Sequence, residues 1–129
     1  MTAQLDMFAA QTVPVPDNED ARVLFSVLKG RGWQHADVLV RLLNDYFPGQ
    51  WDKDGKRLRD AAHAADGMIV SGPGSPGFCR VDECVKSKAL RVGQTKIDQG
   101  TAMQESGIAI QRKAHAFAIR DELTWEDGQ

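Results

Sequence analysis

Basic residues gather in one stretch of a chain that is otherwise slightly acidic. Of 129 residues, 16 are Lys or Arg and 18 are Asp or Glu, a formal charge of -2. Between Lys53 and Arg91, however, eight basic residues (Lys53, Lys56, Arg57, Arg59, Arg80, Lys86, Lys88, Arg91) face five acids (Asp54, Asp60, Asp66, Asp82, Glu83), a local charge of +3. Ammonium and guanidinium groups seek phosphate oxygens and the acceptor edges of bases. Lys56 and Arg59 are three apart, Arg59 and His63 four apart; on a helix they share a face opposite Leu58 and Ala62. Lys53, Lys56, Arg57, Arg59 and His63 are therefore the expected contacts of a helix laid into the major groove of double-stranded DNA. Arg80, Lys86, Lys88 and Arg91 are expected to add phosphate contacts. The competing reading makes the same residues the solvated charges of a module that binds protein, since a fold does not fix a function.

A second group of chemically apt residues lies at the other end. In Gln4-Leu5-Asp6-Met7-Phe8 an extended peptide can seat Leu5 and the Met7-Phe8 pair in an apolar groove. The Gln4 amide, donor and acceptor at once, would fix the register. Val13-Pro14-Val15-Pro16 follows; alternating prolines hold backbone extended and remove amide donors. Residues 1–16 thus read as an arm with a stiff linker, the alternative being that Leu5, Met7 and Phe8 pack back on the domain.

Other candidate chemistry is set aside. Cys79 and Cys84 with His63 or His115 make a poor zinc site: the cysteine spacing is at the edge of known patterns and no second close pair of ligands accompanies it. Cys79 instead falls at a strand position suited to a buried thiol. Gly72-Pro73-Gly74-Ser75-Pro76-Gly77 lacks the Lys-Ser/Thr and helix of a phosphate loop. Ser71 has no nearby histidine in a nucleophile motif. No catalytic residue, metal or cofactor is expected.

The elements that must position these residues follow from periodicity. Asp17 to Asp20 offers caps and acids for a helix whose apolar positions are Val23, Leu24, Val27 and Leu28, ended by Gly30 and Gly32. A second helix fits His35 or Ala36 to Asn44, with Val38, Leu39, Leu42 and Leu43 on one stripe. Trp51 is expected to plug the core beside the turn that follows. A third helix spans about Lys53 to Ala65, its inward face Leu58, Ala61, Ala62 and Ala65. Strands at Met68–Ser71 and Phe78–Val81 flank the glycine-proline turn. Beyond Asp82 helical residues run on without proline, with Gly93, Gly100 and Gly107 at intervals of seven. Each glycine weakens a helix by about 1 kcal/mol relative to alanine, so either they form a close helix–helix seam or one of them divides the stretch. A late stripe of Met103, Ile110, Ala114 and Phe117, with Ile108 and Ile119 beside it, is expected to pack on the core or on a second copy.

Two resemblances rest on these residues. Lys56-Arg57-Leu58-Arg59-Asp60-Ala61-Ala62, then Gly67-Met68-Ile69-Val70-Ser71-Gly72, then Gly77-Phe78-Cys79, resembles a pattern of small phage and prophage winged-helix proteins, in which a basic helix leads into the hairpin. It covers about half the chain and departs at the wing, where Pro73 to Pro76 carries no Lys or Arg. Gln4-Leu5-Asp6-Met7-Phe8 resembles the peptide that binds the bacterial sliding clamp, with Met7 in place of Leu. The resemblances imply a mainly α fold, a winged helix-turn-helix over residues 17–81. The arm of residues 1–16 precedes it, a helical arm over 82–123 follows, and 124–129 is a tail.

Composition is that of an ordinary globular chain. No apolar run of membrane-spanning length occurs, and the N-terminus lacks the basic and apolar regions of a secretory signal; a cytoplasmic location in a bacterial host is expected. The combined expectation is a non-enzymatic DNA-replication accessory or regulatory protein, phage or prophage in type, tethered to the bacterial DNA polymerase sliding clamp. An inhibitor of the clamp or replisome whose winged helix binds protein is the alternative. A dimeric transcriptional regulator, paired through residues 82–123, is another.

Overall fold

A computed structural model describes residues 13–72 and 75–121, without the side chains of residues 101 and 102; the Gln4–Phe8 peptide lies outside the described residues. The fold is mainly helical with one small antiparallel sheet. Helix α1 spans Glu19–Leu28, α2 Ala36–Tyr46 and α3 Lys56–His63; strands β1 (Ile69–Val70) and β2 (Cys79–Arg80) follow. A 3-10 turn at Val81–Glu83 leads to α4 (Lys86–Asp98) and α5 (Thr101–Phe117).

Helix α1 begins where the Asn18 side chain accepts a hydrogen bond from the Ala21 amide at 3.0 Å, with Glu19 and Asp20 at the positive end of the helix dipole. Its apolar stripe buries Ala21, Leu24, Phe25 and Leu28. The far end is held from a distance in sequence: the Gly30 and Gly32 amides donate to the Glu83 carboxylate at 2.6 and 3.2 Å. Glu83 thus binds the donors just past α1 and ties the 3-10 turn to it. In α2 the stripe is rotated from expectation. Leu39 and Leu43 are fully buried as expected, but Val40 rather than Val38 joins them, and Val38 is exposed. Trp51 plugs the core; its backbone N–H donates to the Asn44 side chain, and the Asn44 amide donates to the Trp51 carbonyl, at 2.9 and 3.0 Å.

Helix α3 is shorter than the expected Lys53–Ala65. Gly55 stands at its N-cap in left-handed conformation, φ 78°, a geometry that ends the preceding turn and that glycine adopts without a steric penalty. Lys53 therefore sits in the turn before the helix. The expected strands shrink to two residues each, Ile69 opposite Arg80 and Val70 opposite Cys79. Phe78 pairs instead with Gln34 from the α1–α2 linker, through bonds of 2.8 and 2.9 Å. The linker thus fixes the hairpin beside the first three helices.

The stretch from Asp82 onward resolves the glycine question in both ways. Gly100, φ 111°, separates α4 from α5, while Gly93 and Gly107 bring the two helices into backbone contact. A methyl group on Gly93 would lie 2.8 Å from the Gly107 carbonyl oxygen, and one on Gly107 would lie 2.8 Å from Ile97 Cγ1. The pair does not project as an arm. Ile110 and Ala114 of α5 and Ala89 and Val92 of α4 belong to the same buried cluster as Leu24, Leu58 and Val70, so the core runs across the boundary expected at Val81. The late stripe divides accordingly: Ile110 and Ala114 are buried, while Ile108 and Ile119 are exposed. Among the described residues no helix is long and apolar enough to cross a membrane.

Candidate nucleic-acid interface

The nine side chains expected at a DNA surface are not equally available; Arg91, on α4, is exposed. Lys53, Lys56, Arg59 and His63 are exposed in and just before α3, and Lys88 is exposed in the first turn of α4. Arg57 and Arg80 are turned to internal tasks, which corrects their expected phosphate role.

Arg57 makes a forked contact with Asp20 of α1, its Nε and Nη2 donating at 2.8 and 2.9 Å. Its Nη1 donates to the Gln50 carbonyl at 2.6 Å, and the guanidinium lies 4.6 Å from the centre of the Trp51 ring. The physical reason is position: one residue past Lys56, the side chain leaves α3 on the flank that meets α1. The hydrogen bonds from Arg57 hold the Asp20 carboxyl below its usual value against the opposing effect of burial. Arg80 is committed more fully. It forks onto Asp82 at 2.9 and 3.0 Å, lies 3.8 Å from the centre of the Phe25 ring, and has a side chain only 11% exposed. Both arginines bind α1 to later parts of the chain.

The remaining cations are available to different degrees. Lys56 Nζ pairs with Asp60 at 3.0 Å, but both side chains are about two-thirds exposed, at 69% and 67%, and such a pair yields readily to a stronger anion. Arg59 donates to the Asp54 carbonyl at 2.8 Å, which steadies its guanidinium across the first turn of α3. Lys88 Nζ stands 5.3 Å from the centre of the Trp33 ring. Lys86 is half-buried, and its backbone N–H donates to the Ile119 carbonyl at 2.7 Å. Lys56, Arg59 and His63 thus form an exposed strip along α3, with Lys53 ahead of it.

Comparison of the chain with protein-family models, with curated proteins and with solved structures finds no match.

Beneath the strip lies a feature that sequence reasoning missed. A cavity of about 560 Å³ opens where α3, the hairpin, α4 and α5 meet, lined by Arg59, His63, Ser71, Phe78, Lys96 and Met103 among others. Lys96, on α4, is only 4% exposed; its Nζ donates to the Ser106 hydroxyl at 2.9 Å. Burial pulls its pKa down to about 8. A lysine is rarely found inside, so nothing in its type marked it. The available signal was its spacing: Ala89, Val92, Gly93 and Lys96, all buried, recur at three, four and seven residues, the inward face of an amphipathic helix.

The two cysteines lie together in the core, both fully buried and unbridged. A hydrogen bond with Cys84, followed by burial, holds the Cys79 thiol far above its ordinary pKa. Among the described residues no group of three or more His, Cys, Asp or Glu side chains is placed to hold a metal ion.

Proposed function

We propose that the chain is a non-enzymatic DNA-binding accessory protein built on a winged helix-turn-helix, in which α3 enters the major groove and the N-terminal peptide tethers the domain to the bacterial sliding clamp. The observation that carries the DNA reading is the exposed strip Lys56, Arg59 and His63 on α3, with Lys53 preceding it. The three-helix-then-hairpin order and the Gln34–Phe78 pairing are what the winged-helix reading rests on. The strip carries only a few cations, so the DNA affinity it gives is modest; a tether that raises local concentration makes a modest affinity sufficient.

The test uses a short DNA duplex and anisotropy at several salt concentrations. Arg59→Ala weakens binding and lowers the salt slope by about one, whereas Lys86→Ala, which alters a half-buried residue outside the strip, changes it less. Absence of salt-dependent binding by the intact chain overturns the DNA reading. Leu5→Ala with Phe8→Ala abolishes capture of the purified clamp; unchanged capture overturns the tether.

Two observations favour a second reading. Lys56 already pairs with Asp60, and the hairpin turn carries no Lys or Arg. A domain that binds the clamp but not DNA would be an inhibitor that occupies the clamp groove, with α3 meeting protein.

A further inference from the structure

Ser71 and Lys96 are the two polar or charged residues buried among the described ones, at 8% and 4% exposure, and both line one cavity. That coincidence needs a cause. An ammonium taken out of water loses its hydration and is ordinarily matched by a carboxylate. Among the described residues Lys96 makes no ion pair, and its one side-chain hydrogen bond is to the neutral Ser106 hydroxyl, leaving two of its three donors to be used. The one acid lining the cavity, Asp60, pairs with Lys56.

The walls are suited to more than an ion. Phe78 and Met103 are apolar and polarizable surfaces, and Arg59 adds positive charge from α3. The volume, about 560 Å³, falls within the range of about 300–1,000 Å³ typical of small-molecule sites. Gly72 keeps the space beside the lysine stem: a methyl group there would lie 2.7 Å from Lys96 Cε.

We infer that this cavity binds a small organic anion, a carboxylate or phosphate monoester with a compact apolar body, whose charged end meets Lys96 and whose body lies against Phe78 and Met103. The site shares Arg59 and His63 with the DNA surface proposed above, but Lys96, only 4% exposed, lies beneath that surface and out of reach of a duplex phosphate. A purely structural lysine would serve only to tie α4 to α5 through Ser106, and a hydrocarbon side chain would do that packing at lower cost.

The probes are phenyl phosphate, benzoate, inorganic phosphate and neutral benzyl alcohol at millimolar concentration, each added to the full chain. The readouts are the thermal midpoint and the NMR titration of the Lys96 side chain. Phenyl phosphate or benzoate is expected to raise the midpoint and to move the Lys96 pKa upward, as an anion at the ammonium must. Inorganic phosphate and benzyl alcohol, each carrying half of the recognition, are expected to act more weakly. Lys96→Met is expected to fold, as circular dichroism will show, and to lose the response. Lys96→Arg keeps the charge and provides a second variant should Lys96→Met fail to fold; its response to phenyl phosphate is retained at least in part. The groups facing the cavity that titrate or carry charge are Arg59, Asp60 and His63 from α3 and Lys96 from α4, so the titration is followed at Lys96 itself. No response of the intact chain to either organic anion, or an equal response in Lys96→Met, overturns the inference. So does an equal response to benzyl alcohol.

Discussion

The first three helices and the last two are held together by different means. Around α1, large side chains and ion pairs make the contacts: Leu24, Leu28, Leu39, Leu43 and Leu58 are fully buried, and Arg57 and Arg80 reach α1 from later elements. Between α4 and α5 it is the absence of side chains that matters, with Gly93 and Gly107 facing each other. The first arrangement rests on apolar area, about 1.5–3 kcal/mol for each large side chain buried. The second rests on close backbone approach, in which any added atom is an intruder. Substitutions of opposite kind should therefore break the two halves.

Removal of atoms is the larger effect and belongs to the first half. Leu24→Ala, at a fully buried site, is expected to cost about 2–5 kcal/mol, read as a fall in the denaturation midpoint. Addition of one methyl group belongs to the second: Gly107→Ala is expected to cost about 1–3 kcal/mol through overpacking against Ile97, in spite of alanine's better helix propensity. If Gly107→Ala instead stabilises the protein, the seam is not close and the contrast between the halves fails.

Lys96 sharpens the comparison further, because it is a charge placed on the inward face of a helix. Its folded pKa of about 8 lies below the ordinary 10.5, so between those values the unfolded chain binds more protons and stability rises with pH. Lys96→Met should lack that rise and be the more stable protein at neutral pH, the difference narrowing as pH climbs from 8 toward 10.5. Parallel stability curves for the two proteins over that window would contradict the burial of a charged lysine.

The smallest effect is at Arg57. Its pair with Asp20 is about one-third exposed on each side, 36% and 33%, and after solvent screening it contributes no more than about 1 kcal/mol. Because the Asp20 pKa is lowered from 3.8, that contribution is present above the unfolded value and disappears as pH falls through the folded one. Arg57→Ala should flatten this part of the acid unfolding curve, while Lys53→Ala leaves it unchanged.

The existence and order of helices α1 to α3 and of the hairpin follow from periodicity, caps and turn residues, whereas α3 begins only at Lys56 and the strands shrink to two residues each. Val40 replaces Val38 in the core because the stripe of α2 is set by what it faces, and three adjacent apolar residues leave that choice open. Arg57 and Arg59 look equivalent in sequence; only the placement of Asp20 and Trp51, distant along the chain, makes one internal and leaves the other exposed. The glycine spacing raised both outcomes that occur at α4–α5, but it does not say which glycine does which: Gly100 turns the chain and the flanking two make the seam. Lys96 was hidden by its type and visible only in its spacing.

The Lys86 amide donates to the Ile119 carbonyl at 2.7 Å, and the Ile119 amide donates to the Cys84 carbonyl at 2.9 Å, joining the start of α4 to the segment just past α5. Residues 84–119 are thereby closed at their base, like a clasped bracelet. Opening the clasp exposes the two amides together, so they should exchange hydrogen with solvent in step.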